Sequence, residues 1–293
     1  MVNDASSEFI REFGKNAESI TNDIDRSKKY RAGIAAMAQK AAETNNTTFL
    51  DAAVGFTGKI IDDHDRSKAY VDIIRGTARV AISTADADLV GRSLELSANT
   101  EEGHDRSHAL QGVVAAMADV GMKKDKNAFV EDSKELAGII EYDTYRSSAW
   151  RSIARAQHGN NDTLGAVESA NKAMEIIDMS KLITQDVYKA SAYIDLAQLF
   201  IDLGQEDIAR ECITKAVNSS AGLEDEFERS SIFQTIAETQ VRMGTRTKDN
   251  SLLEDALESF NHITREYYRT STKQTLKSVL VNLKKDELVQ RLA

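Results

Sequence analysis

Proline is absent from the 293-residue chain, and cysteine occurs once, at Cys212. Average proline usage would supply about fifteen residues in a chain of this length, so no turn or helix end here is set by a proline ring. A single cysteine excludes an intramolecular disulfide and is typical of a reducing compartment. No run approaches the roughly 18 consecutive apolar residues of a membrane span, and the first residues lack the basic and apolar regions of a signal peptide. We therefore expect a cytoplasmic protein that does not bind a membrane.

An excess of positive charge is also missing. The chain has 37 basic and 47 acidic residues and a net charge of −10. Proteins that bind nucleic acids by neutralising phosphates usually carry a basic domain or stripe, so the charge balance argues against that class. With 41% apolar and 29% charged residues, the chain has enough apolar side chains for a core, and the composition argues against wholesale disorder.

The sequence motifs of common enzyme sites do not occur either. The chain contains no phosphate-binding Gly-rich loop of the Gly-x-x-x-x-Gly-Lys-Ser/Thr type, no Gly-x-Gly-x-x-Gly turn, no His-Glu-x-x-His helix and no Gly-x-Ser-x-Gly elbow. Cys212 lies in an apolar helical pattern with Ile208, Ile213 and Ala216. A nucleophilic thiol needs an activating base, so Cys212 is interpreted as a small core residue. We expect a protein that is not an enzyme and holds no cofactor.

What the chain does contain is a short step that returns about every 40 residues. An Asp-Arg-Ser or Tyr-Arg-Ser step occurs at Arg26, Arg66, Arg106 and Arg146. Weaker forms follow at Lys189, Arg229 and Arg269, and the spacing is 40 residues throughout except for 43 between Arg146 and Lys189. A fixed period of this size is typical of stacked supersecondary units.

The clearest unit, residues 146–178, predicts a helical hairpin, because apolar residues recur at helical spacing on both sides of a polar break at 159–162. This unit resembles the tetratricopeptide repeat, a family that places an aromatic residue, a large apolar residue three later, a small residue next and two alanines in the second helix. The matching residues are Trp150, Ile153, Ala154, Ala166 and Ala173. Residues 189–221 repeat the match with Tyr193, Leu196, Ala197, Phe200, Gly204, Ala209 and Ala216.

The other units match this family in part. Their period is 40 where the family has about 34, the family's terminal proline is absent, and its first second-helix alanine is replaced by Asn46, Asp86, Lys126 and Asp249. The resemblance implies an all-α fold, a right-handed α-α superhelix of about six hairpins with partial terminal units. We predict one solenoid over residues 1–293, with an N-terminal cap at 1–24, repeats at 25–64, 65–104, 105–144, 145–187, 188–227 and 228–267, and a C-terminal cap at 268–293.

The recurring arginines have a structural and a functional interpretation. In the structural one, acids near each helix start accept hydrogen bonds from free amides, the serine caps, and the arginine bridges to a carboxylate of the neighbouring unit about 10 Å away. In the functional one, the arginines hold an anionic ligand. We favour the first, a structural repeat ladder formed by Arg26, Arg66, Arg106, Arg146, Arg229 and Arg269.

Two histidines, His64 and His104, occupy equivalent places before this step. Equivalent residues in successive units lie about 10 Å apart, whereas zinc ligands lie only about 2 Å from the ion. The sequence therefore predicts no metal site.

In the resembling family the concave face is formed mainly by the first helices. On that assignment the face carries three acids, Asp119, Asp202 and Glu238, and eight basic residues: Lys28, Arg31, Lys68, Arg75, Arg79, Arg151, Arg155 and Arg242. This asymmetry in an acidic chain indicates a groove for an acidic peptide or partner surface, held by bidentate arginine contacts. The alternative is that these arginines pair internally with acids of adjoining units.

We therefore predict a protein-protein interaction scaffold or adaptor that binds another protein or peptide, of acidic character, in its concave groove. The asparagine pair with which some members of the resembling family clamp a C-terminal double carboxylate is missing, since the corresponding positions include Ala32, Asp72 and Gly112. Two alternatives stay open. One is a nucleic-acid-responsive or nucleotide-responsive helical-repeat regulator, and the other is a structural subunit that associates with itself.

Overall fold

A computed structural model describes residues 2–180 and 186–292, which contain fifteen helices and no strand. The predicted all-α helical-repeat class is confirmed. No helix in these ranges is both long and apolar enough to span a bilayer. The chain divides into two compact units, Met1–Ser169 and Ala170–Ala293, and the single solenoid domain stays a prediction.

The first unit is a stack of hairpins that begins with helix α1 (Val2–Glu18). Three hairpins follow: α2 (Asp23–Thr44) with α3 (Thr48–Thr57), α4 (Asp63–Thr84) with α5 (Ala87–Ser97), and α6 (His104–Lys123) with α7 (Asn127–Gly138). Helix α8 (Asp143–Gly159) comes next, and α9 (Thr163–Met179) spans the division between the units. The first helices pack side by side in the order α2, α4, α6 and α8, while α3, α5 and α7 each pack between two of them.

The second unit repeats this arrangement. It contains the hairpins α10 (Asp186–Asp202) with α11 (Glu206–Ala221) and α12 (Glu226–Thr247) with α13 (Asn250–Asn261), followed by α14 (Glu266–Asn282) and the short α15 (Asp286–Gln290). Helices α10, α12 and α14 pack in order, and α11 and α13 pack against their neighbours. Each hairpin therefore buries its apolar faces against the hairpins before and after it.

Helix α1 covers the open end of the first hairpin with aromatic side chains. The Phe9 ring meets Phe49 edge to face with the ring centroids 6.0 Å apart. The Phe13 ring lies 6.0 Å from that of Tyr30 and 5.5 Å from that of Phe56. Tyr30 and Phe49 belong to the main buried cluster of this unit, so α1 closes the apolar face that the first hairpin would otherwise expose.

The hairpin turns use left-handed residues where a proline is lacking. Each first helix from α2 to α14 is followed by one residue with φ between 51° and 73°: Asn45, Ala85, Asp125, Asn161, Gly204, Lys248 and Lys284. Asp86 and Asp249, which stand where the resembling family has alanine, then cap the second helices α5 and α13 by accepting hydrogen bonds from backbone N–H groups. The two aspartates that replace the family's alanine are thus N-cap residues of the second helices.

The repeated arginine binds the backbone behind it. Its guanidinium donates to the carbonyl oxygen six residues earlier, just after the preceding helix ends. The donor–acceptor distances are 3.1 Å for Arg26 to Ile20, 3.1 Å for Arg66 to Ile60, 3.0 Å for Arg106 to Thr100, 3.1 Å for Arg146 to Ile140, 2.7 Å for Arg229 to Leu223 and 3.1 Å for Arg269 to Ile263. These carbonyls lie beyond the last residue of the preceding helix, so no intrahelical hydrogen bond pairs them and the arginine supplies the donor.

The carboxylates that these arginines meet lie in the same helix start and do not belong to a neighbouring hairpin. Arg66 pairs with Asp63 at 2.9 Å and Arg106 with Glu102 at 3.3 Å. The expected bridge to a carboxylate of the neighbouring unit is thus replaced, at Arg26, Arg66, Arg106 and Arg146, by a local ion pair together with a backbone contact. Arg229 and Arg269 have the backbone contact and no ion pair with another described residue.

The serine of the step binds the backbone ahead of it. Ser27 Oγ accepts from the Ile61 N–H at 3.1 Å, and Ser67 Oγ accepts from the Glu101 N–H at 2.9 Å. In the second unit Ser230 Oγ lies 3.2 Å from the backbone nitrogens of Thr264 and Arg265. All three serines are buried. The arginine fixes the end of one hairpin, and the serine fixes the turn that leads into the next.

Replacing this serine should destabilise the stack. We expect Ser230→Ala to lower the free energy of unfolding by about 0.5–1.5 kcal/mol, because the N–H groups of Thr264 and Arg265 lose the acceptor that the buried Ser230 hydroxyl provides. The adjacent Ser231→Ala is the control, since the Ser231 hydroxyl has no hydrogen-bond partner among the described residues. Urea unfolding of both variants checks this, and equal loss in the two would contradict it.

Candidate functional site

Five of the eight predicted groove residues lie on helices α2 and α4. Lys28 and Lys68 are exposed near the starts of these helices, and Arg31 lies half-buried on α2. Between α2 and α4 runs a groove of about 490 Å³ whose lining includes Arg75 and Arg79 of α4. Of the predicted set, these two arginines line the groove.

The groove is open because its floor consists of small residues. Helix α2 contributes Ala35, Ala38 and Ala42 to the lining, and α4 contributes Gly76. A Cβ atom added to Gly76 would lie 2.8 Å from the Ala38 carbonyl oxygen, which is closer than real Cβ contacts. Glycine therefore lets the two helix backbones approach, and the long side chains of α4 stand beside a shallow alanine surface.

The acids of the groove are already engaged, whereas its arginines are not. Asp72 accepts from Arg31 at 2.5 Å, and Glu43 accepts from Gln39 at 2.7 Å. Neither Arg75 nor Arg79 forms a hydrogen bond or ion pair with another residue in the described parts of the chain. The groove therefore presents two guanidinium groups whose charge is not matched by a directly bonded carboxylate.

The other predicted groove residues are not gathered here. Arg151 on α8 is only 8% exposed and is engaged within the protein. Arg155, four residues later, is exposed, and Arg242 is exposed on α12 of the second unit. Of the three predicted acids, Asp119 pairs with Lys123 at 2.6 Å, Asp202 with Arg246 at 2.9 Å, and Glu238 accepts from Gln234 at 3.0 Å.

The sequence reasoning missed the groove's polar partners, Gln39, Glu43 and Asp72. A signal for Asp72 was present, because it lies six residues after Arg66 while Arg31 lies five after Arg26. These are adjacent positions of neighbouring repeats, so stacking α2 beside α4 brings the two side chains together. Their pairing agrees, for Arg31, with the alternative that arginines of this face bind acids of adjoining units.

The charge of Arg75 also acts on α6. Burial lowers the pKa of His108 to about 4, and the positive charge of Arg75 contributes to the same shift. The His108 ring stacks on Tyr145 with the centroids 4.7 Å apart. His108 is therefore neutral at pH 7, which leaves Arg75 as the charged group of this pair.

A comparison with models of known protein families finds no match, and none of the curated proteins compared matches the chain. No family is assigned. Among solved structures, the chain resembles a Rap protein complexed with competence and sporulation factor, with 14% identity, 97% of this chain and 81% of that chain covered, and a TM-score of 0.43. It also resembles a circular tandem repeat protein with novel repeat topology, with 12% identity, coverages of 98% and 87%, and a TM-score of 0.41.

A third similar structure is Ton1535 from Thermococcus onnurineus NA1, with 13% identity, coverages of 100% and 94%, and a TM-score of 0.28. Similarities at this level of identity and TM-score carry no information on what this chain binds.

The coupling between Arg75 and His108 is testable by titration. We expect Arg75→Gln to raise the His108 pKa above about 4 but to leave it below 6.5, because burial, the larger cause of the shift, remains while a nearby positive charge that disfavours the imidazolium is removed. Since the folded-state pKa is below the ordinary value, stability is full above about pH 6.5 and is lost as the pH falls toward 4. The substitution should reduce that loss. NMR titration of the histidine ring measures the pKa; Arg79→Gln is the control and should shift it less.

The close approach at Gly76 gives a second prediction. We expect Gly76→Ala to destabilise the protein by about 1–3 kcal/mol through overpacking against Ala38. Gly91 lies in α5, and a Cβ added there would meet nothing within 4 Å. Gly91→Ala should therefore stabilise by about 0.5–1 kcal/mol through helix propensity. Thermal unfolding of the two variants should show shifts of opposite sign, and a shared sign would contradict this account.

Proposed function

We propose that this protein is an interaction scaffold whose α2–α4 groove binds an acidic peptide segment of a partner protein. The observation that carries the proposal is the pair Arg75 and Arg79, which line an open groove without bonding to an acid of the protein. A guanidinium offers a planar fork of donors that matches a carboxylate. Because both guanidinium groups are on α4, the groove favours a ligand with two carboxylates.

The spacing of the arginines indicates how those carboxylates are arranged. Residues four apart on a helix have Cβ atoms about 5–6 Å apart. In an extended peptide, side chains two residues apart point the same way and lie about 6.6 Å apart. An extended segment with acidic residues at alternate positions therefore presents its carboxylates at nearly the spacing of Arg75 and Arg79. The expected ligand is an acidic-x-acidic segment.

The net negative charge of the chain confines the attraction for acidic ligands to the region of the groove. The chain as a whole carries a net charge of −10, which repels acidic ligands from most of its surface. Lys28 and Lys68 are exposed on the same two helices as the groove and add positive charge nearby. Exposed charges are screened over about 10 Å at 0.1 M salt, so binding should weaken as salt is added.

The test is direct binding of a labelled peptide that contains a Glu-x-Glu segment, measured by fluorescence anisotropy at low salt. We expect Arg75→Glu/Arg79→Glu to raise the dissociation constant at least about tenfold, which corresponds to about 1.4 kcal/mol. A peptide with both glutamates replaced by glutamine should bind the unmodified protein just as weakly.

The control is Arg11→Glu/Lys15→Glu, which makes the same charge change at the same spacing on exposed positions of α1. This variant should bind like the unmodified protein. Equal weakening by the two double variants would mean that net charge alone governs binding, and an unaffected groove variant would place the contact elsewhere. Either result overturns the proposal. Circular dichroism melts confirm that both variants are folded.

A further inference from the structure

Three side chains with metal-binding atoms meet where helices α4 and α6 begin. His64 lies in the first turn of α4, Glu101 in the turn before α6, and Asp105 in the first turn of α6. Their ligand atoms, one imidazole nitrogen and two carboxylate oxygens, all lie within 4.8 Å of one another. The expectation of no metal site compared His64 with its equivalent His104. The structure instead brings His64 beside residues that are not its equivalents in the repeat.

We propose that His64, Glu101 and Asp105 form a binding site for one divalent transition-metal ion of the zinc type. The site lies on α4 and α6, and its lining differs from that of the α2–α4 groove. The proposal is therefore independent of peptide binding.

The two acidic residues of this site are positioned by Ser67, the serine of the repeated Arg-Ser step. Ser67 Oγ donates to Asp105 Oδ2 at 2.7 Å and accepts from the Glu101 N–H at 2.9 Å. Asp105 is 7% exposed, so its carboxylate has a fixed orientation. His64 Nδ1 lies 3.0 Å from Glu101 Oε2, and both of these side chains are exposed. The site thus has one rigid ligand and two ligands that reach solvent, through which an ion can enter.

The local charge favours a cation. The N-terminal ends of α4 and α6 each contribute about half a positive charge, whereas the two carboxylates contribute two negative charges. The adjacent acids Asp63 and Glu102 pair with Arg66 and Arg106, so those arginines are engaged outside the site. A net negative charge remains for the ion to neutralise.

The ligand set selects the class of metal. Imidazole with carboxylates suits zinc and its first-row neighbours, and no thiolate is present to favour softer ions. Magnesium and calcium prefer oxygen ligands alone. In a tetrahedral zinc site the ligand atoms lie about 3.4 Å apart, so His64 and Glu101 need to move by about 1 Å, which their exposure permits. Three protein ligands leave a fourth position for water.

The experiment titrates the untagged, metal-stripped protein with zinc chloride. Isothermal titration calorimetry measures the affinity, and equilibrium dialysis with metal analysis measures the number of zinc ions bound per chain. We expect one site per chain. Removing a ligand in His64→Ala or Glu101→Gln should weaken binding at least about tenfold, as loss of even supporting groups does at metal sites. Millimolar magnesium should not displace the zinc.

The matched control is Glu102→Gln, which removes one carboxylate next to the site but none of its three ligands. This variant should bind zinc like the unmodified protein. The absence of a stoichiometric zinc site overturns the proposal. Equal zinc affinity in His64→Ala also overturns it, because the ion would then be held by other surface acids. Should His64→Ala be poorly folded in the absence of metal, His64→Gln and the shift of the His64 ring signals on adding zinc decide the same question.

Discussion

Backbone groups at the junctions between hairpins need partners, and the Arg-Ser step supplies them. The segment between two helices has backbone carbonyl and N–H groups that no helix pairs, and a buried unpaired polar group costs free energy comparable to a lost hydrogen bond. Arg66 reaches back to the Ile60 carbonyl, and Ser67 receives the Glu101 N–H from the turn ahead. The junction therefore has a fixed length, because the arginine must stand six residues after its carbonyl.

The same stacking determines which charged side chains are satisfied. Adjacent first helices bring Arg31 against Asp72. Arg75 and Arg79, one and two turns further along α4, face the alanines of α2 and form no ion pair with a described residue, while Glu43 of the same groove is bonded to Gln39. The acids of the groove are thus bonded to other side chains and do not pair with these two arginines. Small residues both admit the close helix contact at Gly76 and leave the arginines without a partner.

Much of the fold was predictable from the sequence because stacked hairpins repeat both helical periodicity and the step itself. Repeat boundaries such as 65 and 105 fall within two residues of the observed starts of α4 and α6, at Asp63 and His104. The hydrogen-bond partners of the repeated arginines were not predictable. Every residue has a backbone carbonyl, so the sequence does not show which one an arginine contacts. Arg151 and Arg155 share the spacing of Arg75 and Arg79, yet Arg151 is buried and engaged. The same four-residue spacing of arginines on two helices thus has different surroundings. The sequence of one helix does not show which residues its neighbours place around it. The meeting of His64 with Glu101 was missed for a related reason, since aligning repeats compares equivalent positions only.

The Arg-Ser contacts also make the repeat self-contained as a module. A copy with the Arg-Ser step brings the arginine that binds the backbone of the copy before it and the serine that binds the backbone of the copy after it. The step at Lys189 and Ala190 has neither residue. At the last step Thr270 replaces the serine, and its hydroxyl donates to Glu266 of the same helix at 2.9 Å, so this hydroxyl bonds within its own helix and the series ends there. An array of this kind can lengthen or shorten during evolution by duplicating or deleting whole forty-residue segments, and the same rule offers protein engineers a way to vary its length.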